Sequence, residues 1–316
     1  MSPASPWHAG ELALQRREGV SERLEQVGWR VIRDHLLDQH REFFAQLPFA
    51  VLGAVEENGD VWATLRAGLP GFLHSPDPSR LSVALARDET DPAERGMDEG
   101  QAIALLGIDL RTRRRNRLNG ILHRADSQSF EISVKHSFGN CPRYIQQRTV
   151  GFTRAPGAPA GVHPEHLDAL DARARELIGH ADTFFIASYV NLEQGERQVD
   201  VSHRGGKAGF IRLDDDGGLT IPDFAGNQFF NTLGNLLVNP RAGLVFTDFT
   251  TGELLQLTGD VQLLFDSPEL AAFPGAERLW RFLPRRVIRR VNALPLRWRG
   301  EHDAQDMGAN TRSTPQ

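Results

Sequence analysis

One cysteine stands in 316 residues, Cys141, so no disulfide within the chain and no cysteine-based zinc site can form, and nothing asks for an oxidising compartment. No apolar run approaches the roughly 18 residues that a membrane-spanning helix requires, and the opening residues carry no signal-type apolar stretch. The expectation is a cytoplasmic protein without a membrane span. Lysine is nearly absent, with only Lys135 and Lys207 among 36 basic residues, and so is any excess of positive charge. The 41 acidic residues leave a net charge of −5, which argues against a surface coated for nucleic acid, so any bound anion must meet a local site. His163 and His166 flank Pro164 without further ligands at metal-binding spacing, so no structural metal is expected.

At about 150 residues per domain the length predicts two domains, and 40 % hydrophobic with 24 % charged residues is a globular composition. Apolar residues from Val20 to Phe44 fall at mostly helical spacing until Pro48. Phe49 to Val55 and Val61 to Ala67 read as strands joined by Asn58-Gly59, a dipeptide suited to the positive φ angles of a tight hairpin. Further strands are read at Ala102 to Leu110, Arg117 to His123 and Phe130 to Lys135. Gly151 to Pro164, rich in Gly, Pro and Ala, reads as a linker. A helix is then predicted up to Gly179, followed by six short strands between Phe184 and Phe265 with a helical segment before Ala242.

An internal repeat organises these elements. VWATLRAGLPGF (Val61 to Phe72) lies over VDVSHRGGKAGF (Val199 to Phe210) at an offset of 138. GIDLRTRRRNRLNG (Gly107 to Gly120) lies over FTDFTTGELLQLTG (Phe246 to Gly259) at 139. Two matches at nearly one offset predict two copies of one β unit. The fold class is therefore mainly β with flanking helices (α+β), a duplicated barrel whose halves pack as a pseudo-dimer. The division expected is a helical arm and first barrel over 1–150, linker and helix over 151–180, and the second barrel over 181–266. Residues 267–316 are expected to hold a basic helical segment, with eight arginines between Glu277 and Arg299, and a disordered tail.

The second copy holds the richest chemistry. Ser202, His203, Arg204 and Lys207 surround Gly205-Gly206 at a strand end, where a planar guanidinium fork, a point charge and a possible nest of backbone amides suit a phosphate dianion. The segment LTIPDFAGNQFFNTLGNLLVNP (Leu219 to Pro240) turns from strand to helix and places Asn227, Asn231 and Asn235 four residues apart, as one wall of amides. Arg115, Arg117 and Asn119 from the first half are expected to reach into a cleft between the barrels. Trp7, His8, Glu11 and Gln15 share one side of an N-terminal helix, read as a packing arm. Cys141, in SFGNCPRYI, has no evident base beside it and is read as a small buried residue.

SHRGGKAGF, TIPDFAGNQFFNTLGN, NPRAGLVFTDF and LTGDVQL, in that order between Asp182 and Phe265, resemble the pyridoxamine 5′-phosphate oxidase-like superfamily of FMN-binding split barrels. RTRRRNRLNG and SFGNCPRYIQ make the chain similar to a two-barrel subgroup related to the N-terminal part of ferredoxin-reductase fusions. The resemblance implies FMN, with its phosphate near Ser202, Arg204 and Lys207 and its ring against Pro222, Asp223, Phe224, Asn227, Phe230 and Asn231. It further implies an FMN-dependent oxidoreductase, moving hydride or electrons through flavin N5 to or from a small molecule or a separate reductase. The Arg-Lys pair of the enzyme proper is replaced by Asn227 and Gln228, and its C-terminal Arg-x-His pair is not recognisable, so its vitamin substrate is not expected. The same barrel used to store or sense flavin or haem is the alternative, and a homodimer of two-barrel chains is compatible with either.

Overall fold

The computed structural model describes residues 5–124, 126–158, 163–192 and 195–300. Three helices come first, α1 (Ala9–Arg17), α2 (Ser21–Val31) and α3 (Asp38–Ala45), followed by β1 (Phe49–Val55), β2 (Val61–Ala67), β3 (Leu73–His74) and β4 (Arg80–Val83). A 3-10 turn at Pro92–Gly96 leads into β5 (Ala102–Asp109), β6 (Arg114–His123), β7 (Phe130–Gly139) and β8 (Arg148–Phe152). After β9 (Glu165–Leu167) and α4 (Ala172–His180) come β10 (Thr183–Asn191), β11 (Arg197–Gly205), β12 (Arg212–Leu213) and β13 (Leu219–Phe224). The chain closes with α5 (Asn231–Val238), β14 (Arg241–Thr247), β15 (Leu254–Leu264), β16 (Ala276–Arg290) and β17 (Leu296–Gly300).

The two large sheets share one topology. The first runs β2-β1-β5-β6-β7-β4-β3 and the second β11-β10-β14-β15-β16-β13-β12, and each is a split barrel. The register repeats as well as the order. Ala102 faces Ile121 as Arg241 faces Asp260, and Val51 faces Leu106 as Phe185 faces Val245. Even the irregularities match: each long hairpin carries a bulge one residue before or at its glycine, Asn119/Gly120 and Thr258/Gly259. A Cβ on Gly120 would lie 2.0 Å from the Ser133 carbonyl oxygen, and one on Gly259 would lie 2.1 Å from that of Leu283. The repeat read from two sequence stretches is thus a duplication of the whole sheet.

Each barrel fills its own interior, the first with residues such as Leu52, Trp62, Leu105 and Ile132, the second with Phe184, Ile221, Leu244 and Trp280. A third core joins them. Phe49, Val51, Val61 and Ala63 point away from the first interior, as alternation along a strand requires, and meet Phe185, Ala187, Val201 and Val245 from the second. Fully burying a side chain of this size contributes about 1.5–3 kcal/mol. Backbones approach closely at this seam: a Cβ on Gly243 would lie 2.3 Å from the Val61 carbonyl oxygen, and one on Gly53 would lie 3.1 Å from the Ala187 Cβ.

Four sequence expectations are corrected. The basic stretch after Glu277 is the 15-residue strand β16, because its apolar residues Leu279, Phe282, Val287 and Ile288 are buried by the neighbouring strands β13 and β15. Its arginines meet carboxylates, including Arg278 with Asp223, Arg286 with Glu56 and Asp60, and Arg289 with Asp171. The second barrel accordingly runs past residue 266; the expected disordered tail, residues 301–316, lies outside the described residues. The single helix read over Val20 to Phe44 is two, broken where Ile32 and Leu37 are extended. The helix expected directly after Pro164 starts at Ala172, capped by the Asp171 carboxylate on the Ala174 amide, and residues 165–167 instead add β9 to β16. Among the described residues no helix is long and apolar enough to cross a membrane.

Candidate functional site

A cleft opens where β6 and the segment after β7 of the first barrel face β11, β13 and the turn before α5 of the second. Twelve of the fourteen residues singled out from the sequence line it: Arg115, Arg117, Ser202, His203, Arg204, Gly205, Pro222, Asp223, Phe224, Asn227, Phe230 and Asn231. Lys207 and Asn119 do not. Lys207 is exposed in the turn beyond β11, and Asn119, two residues after Arg117 on the same face of β6, is buried away from the cleft.

Glycine serves a different purpose here from the one expected. A Cβ on Gly205 would lie 2.3 Å from the Tyr144 carbonyl oxygen, so the missing side chain admits a loop of the first barrel. The Gly206 amide is spent on the Asp182 carbonyl, and Gln146 donates to the Gly206 carbonyl at 3.1 Å. The turn is therefore a clamped joint between barrels, with the Gly206 amide already taken.

Arg117 crosses from β6 to the second barrel and binds there through both terminal nitrogens of its guanidinium. Its guanidinium donates to Asn231 Oδ1 at 2.8 Å and to Ser202 Oγ, and pairs with Asp200 at 3.0 Å. Behind this knot stands α1, which packs against α5 so closely that a Cβ on Gly10 would lie 2.1 Å from the Gly234 carbonyl oxygen. Glu11 of α1 accepts from Asn231 Nδ2 and from the His8 amide, completing a capping box. Burial pushes the Glu11 carboxyl up to about 8, against the hydrogen bonds from His8 and Asn231. Burial likewise lowers His8 to about 4. The arm thus fixes the Asn231 amide, and at neutral pH it adds little negative charge to the site.

The amide wall is only partly present. α5 starts at Asn231; Asn227 lies before it, bonding the Phe229 amide in a turn that holds Gln228 and Phe230 at φ 62° and 63°. Asn235 is turned inward to Ser188 Oγ at 3.0 Å. Local side-chain bonds and the burial of α5 account for both departures.

Positive charge gathers opposite the wall. Arg204 donates to Asp223 Oδ1, and Arg278 holds the other oxygen at 2.7 Å. The buried Arg204 Nε has no hydrogen-bond partner among the described residues, and neither has that of Arg117. Arg115 donates through Nε to the Cys141 carbonyl at 2.8 Å and, among the described residues, meets no carboxylate. Burial, followed by repulsion from Arg117 and Arg204, lowers Arg115 to about 10. The same causes, burial first and then Arg115 and Arg204, hold His203 well below its ordinary value and therefore neutral at pH 7. At the mouth, Tyr144 stacks on Phe224 with ring centroids 5.5 Å apart and a 29° interplanar angle, while its hydroxyl donates to the Ala225 carbonyl. A flat aromatic wall beside the guanidinium of Arg115, which no carboxylate compensates, is a donor set for a planar ligand carrying an anionic tail.

Sequence reasoning missed Arg278, because β16 was read as a helix, and gave no role to Arg143 or Phe210. The ion pair between Arg278 and Asp223 has no signal along the chain, since 55 residues separate its members. Cys141 lines the cleft through a half-buried position and contributes its carbonyl to Arg115.

The chain matches no protein-family model and no curated protein. Solved structures of similar fold include a FAD-binding protein from Mesorhizobium loti, 14 % identical over 41 % of this chain and 99 % of that one, with a TM-score of 0.29. Another is the FAD-binding protein from Mycobacterium smegmatis, 15 % identical over 40 % of this chain and 98 % of that one, TM-score 0.27. A third is HutZ, the haem storage protein from Vibrio cholerae, 16 % identical over 37 % and 91 %, TM-score 0.26.

Proposed function

We propose that this chain binds a phosphorylated flavin, FMN, in the cleft between its barrels and acts as an FMN-dependent oxidoreductase on a small molecule. The observation that carries the reading is the half-buried Arg115, which meets no carboxylate among the described residues, beside Arg204 and the aromatic wall of Tyr144 and Phe224. A charge drawn out of water is normally paired, so such a guanidinium marks where a ligand's anion belongs. Arg204 and Arg115 would hold the phosphate; Phe224, Pro222 and Phe230 would flank the ring; Asn227 and the Arg117–Asn231 pair would meet its polar edge. When bound, flavin supplies two-electron chemistry that no side chain of the cleft offers. The chain's own work is then to place the ring, and to set fixed positive charge where a reduced ring gathers negative charge.

One observation favours a second reading, haem storage. His203 lines the cleft as a neutral imidazole whose buried Nε2 has no hydrogen-bond partner, the state required of an iron ligand. The absorption spectrum of the purified protein between about 300 and 700 nm, with identification of any chromophore released on denaturation, separates the two. Bound flavin, or quenching of added FMN with saturation, supports the first reading. A haem band that His203→Ala abolishes replaces it. A protein that binds neither refutes both, and turnover with a chemical reductant distinguishes an oxidoreductase from a flavin store.

A further inference from the structure

Two copies of one barrel, packed as a pseudo-dimer, generate two related clefts. In the cleft described above, β6 of the first barrel meets β11 of the second. Its counterpart lies where β15 meets β2, and the shared register identifies its residues: Gln256 stands for Arg117, Thr64 for Ser202 and Arg66 for Arg204. The two glycine turns also superimpose in kind, since a Cβ on Gly68 would strike the Phe72 ring as one on Gly206 would strike Phe210.

The second cleft is filled by the chain's own carboxylates. The connection from β4 to β5, which in the other barrel forms α5, here makes an acidic turn ending in Pro92–Gly96. Asp91 accepts from Thr64 Oγ1, from Gln256 Nε2 at 3.1 Å and pairs with Arg290 at 3.0 Å. Glu94 pairs with Arg66 at 3.2 Å and with Arg124 at 2.6 Å, and Asp88 receives Arg290. Asp91 is 1 % exposed and Glu94 5 %. Every arginine of this place therefore meets a carboxylate, whereas Arg115 of the first cleft meets none among the described residues.

We propose that the acidic turn Asp88–Glu94 is a built-in substitute for a bound anion that closes the second, symmetry-related site, so that each chain takes one flavin phosphate rather than two. This rests on the FMN reading above. Carboxylates held in the chain have no binding entropy left to lose, so they outcompete a free anion for the same guanidiniums.

The test is the stoichiometry of FMN binding to the intact chain by titration calorimetry and equilibrium dialysis, with Arg204→Ala and Arg66→Ala beside the wild type. One equivalent is expected, weakened tenfold or more by Arg204→Ala and changed less than twofold by Arg66→Ala in protein that retains its circular dichroism. Two equivalents overturn the closed second site while leaving the FMN reading intact, as does one equivalent that Arg66→Ala weakens and Arg204→Ala does not. No binding to the wild type overturns the FMN reading and this inference with it.

Discussion

Replacing Arg117 separates two roles that a cleft-lining arginine can have. Its guanidinium is bound to Asp200, Ser202 and Asn231, all in the other barrel, with side chains of Arg117 and Asp200 only 5 % and 3 % exposed. Removing one member of a buried pair leaves the other charge without compensation, which costs about 3–5 kcal/mol. Arg117→Met should therefore lower the folded-to-unfolded ratio by roughly two to nearly four orders of magnitude. Asp200→Asn should also destabilise, by strand-to-strand loss of the same pair. The double variant should cost less than the two single costs added together, by about 0.5–3 kcal/mol, because neither charge is then stranded. Urea unfolding at pH 7, followed by tryptophan fluorescence and far-ultraviolet circular dichroism with coincident transitions, measures all four proteins. Single costs that add within about 0.5 kcal/mol would refute the coupling. An Arg117→Met protein of wild-type stability that has lost only FMN affinity would show that Arg117 serves the ligand and not the joint.

Arg204→Ala should weaken FMN binding by about 1.5–3 kcal/mol, the range for a hydrogen bond to a charged group, in a fluorescence-quenching titration; exposed Lys207→Ala should change it less than twofold, and equal losses would return Lys207 to the site. Glu11 binds its proton more tightly folded than unfolded, so stability should fall as pH rises from about 4.5 to 8. His8, lowered to about 4, acts oppositely, losing stability as pH falls from 6.5 to 4, so the window from 6.5 to 8 belongs to Glu11. Chemical denaturation across that window should show a decline that Glu11→Gln removes, and an unchanged slope would refute the assignment. Gly243→Ala drives a methyl group into the Val61 carbonyl at the seam between barrels, and it should destabilise by about 1–3 kcal/mol in the same unfolding assay.

The barrels were legible because their signals are local. The Asn58-Gly59 turn and the short strand runs each lie within a few residues, the constant offset between copies needs no knowledge of contacts, and Gly59 does take a positive φ of 84°. β16 was not legible: its arginines interleave with apolar residues at spacings that fit a helix, and only its neighbours β13 and β15 decide for strand. The cleft shows the same division. Arg204 and Asp223 fall within a recognisable motif, while the pairing of Arg117 with Asp200 and the covering of Gly205 by Tyr144 depend on how one barrel sits on the other. The glycines of the Gly205-Gly206 turn attracted a ligand reading because backbone access looks alike in sequence whether a phosphate or a protein loop makes the approach.

The third core, shared by strands of both copies, would in a pair of separate barrels form and dissolve with dilution. Tethering the copies in one chain replaces that dependence with a fixed effective concentration, so the seam persists at any protein concentration. It also breaks the identity of the halves. In a dimer of identical subunits a substitution appears on both sides of the axis at once, whereas here arginine in β6 and glutamine in β15 can occupy related places independently.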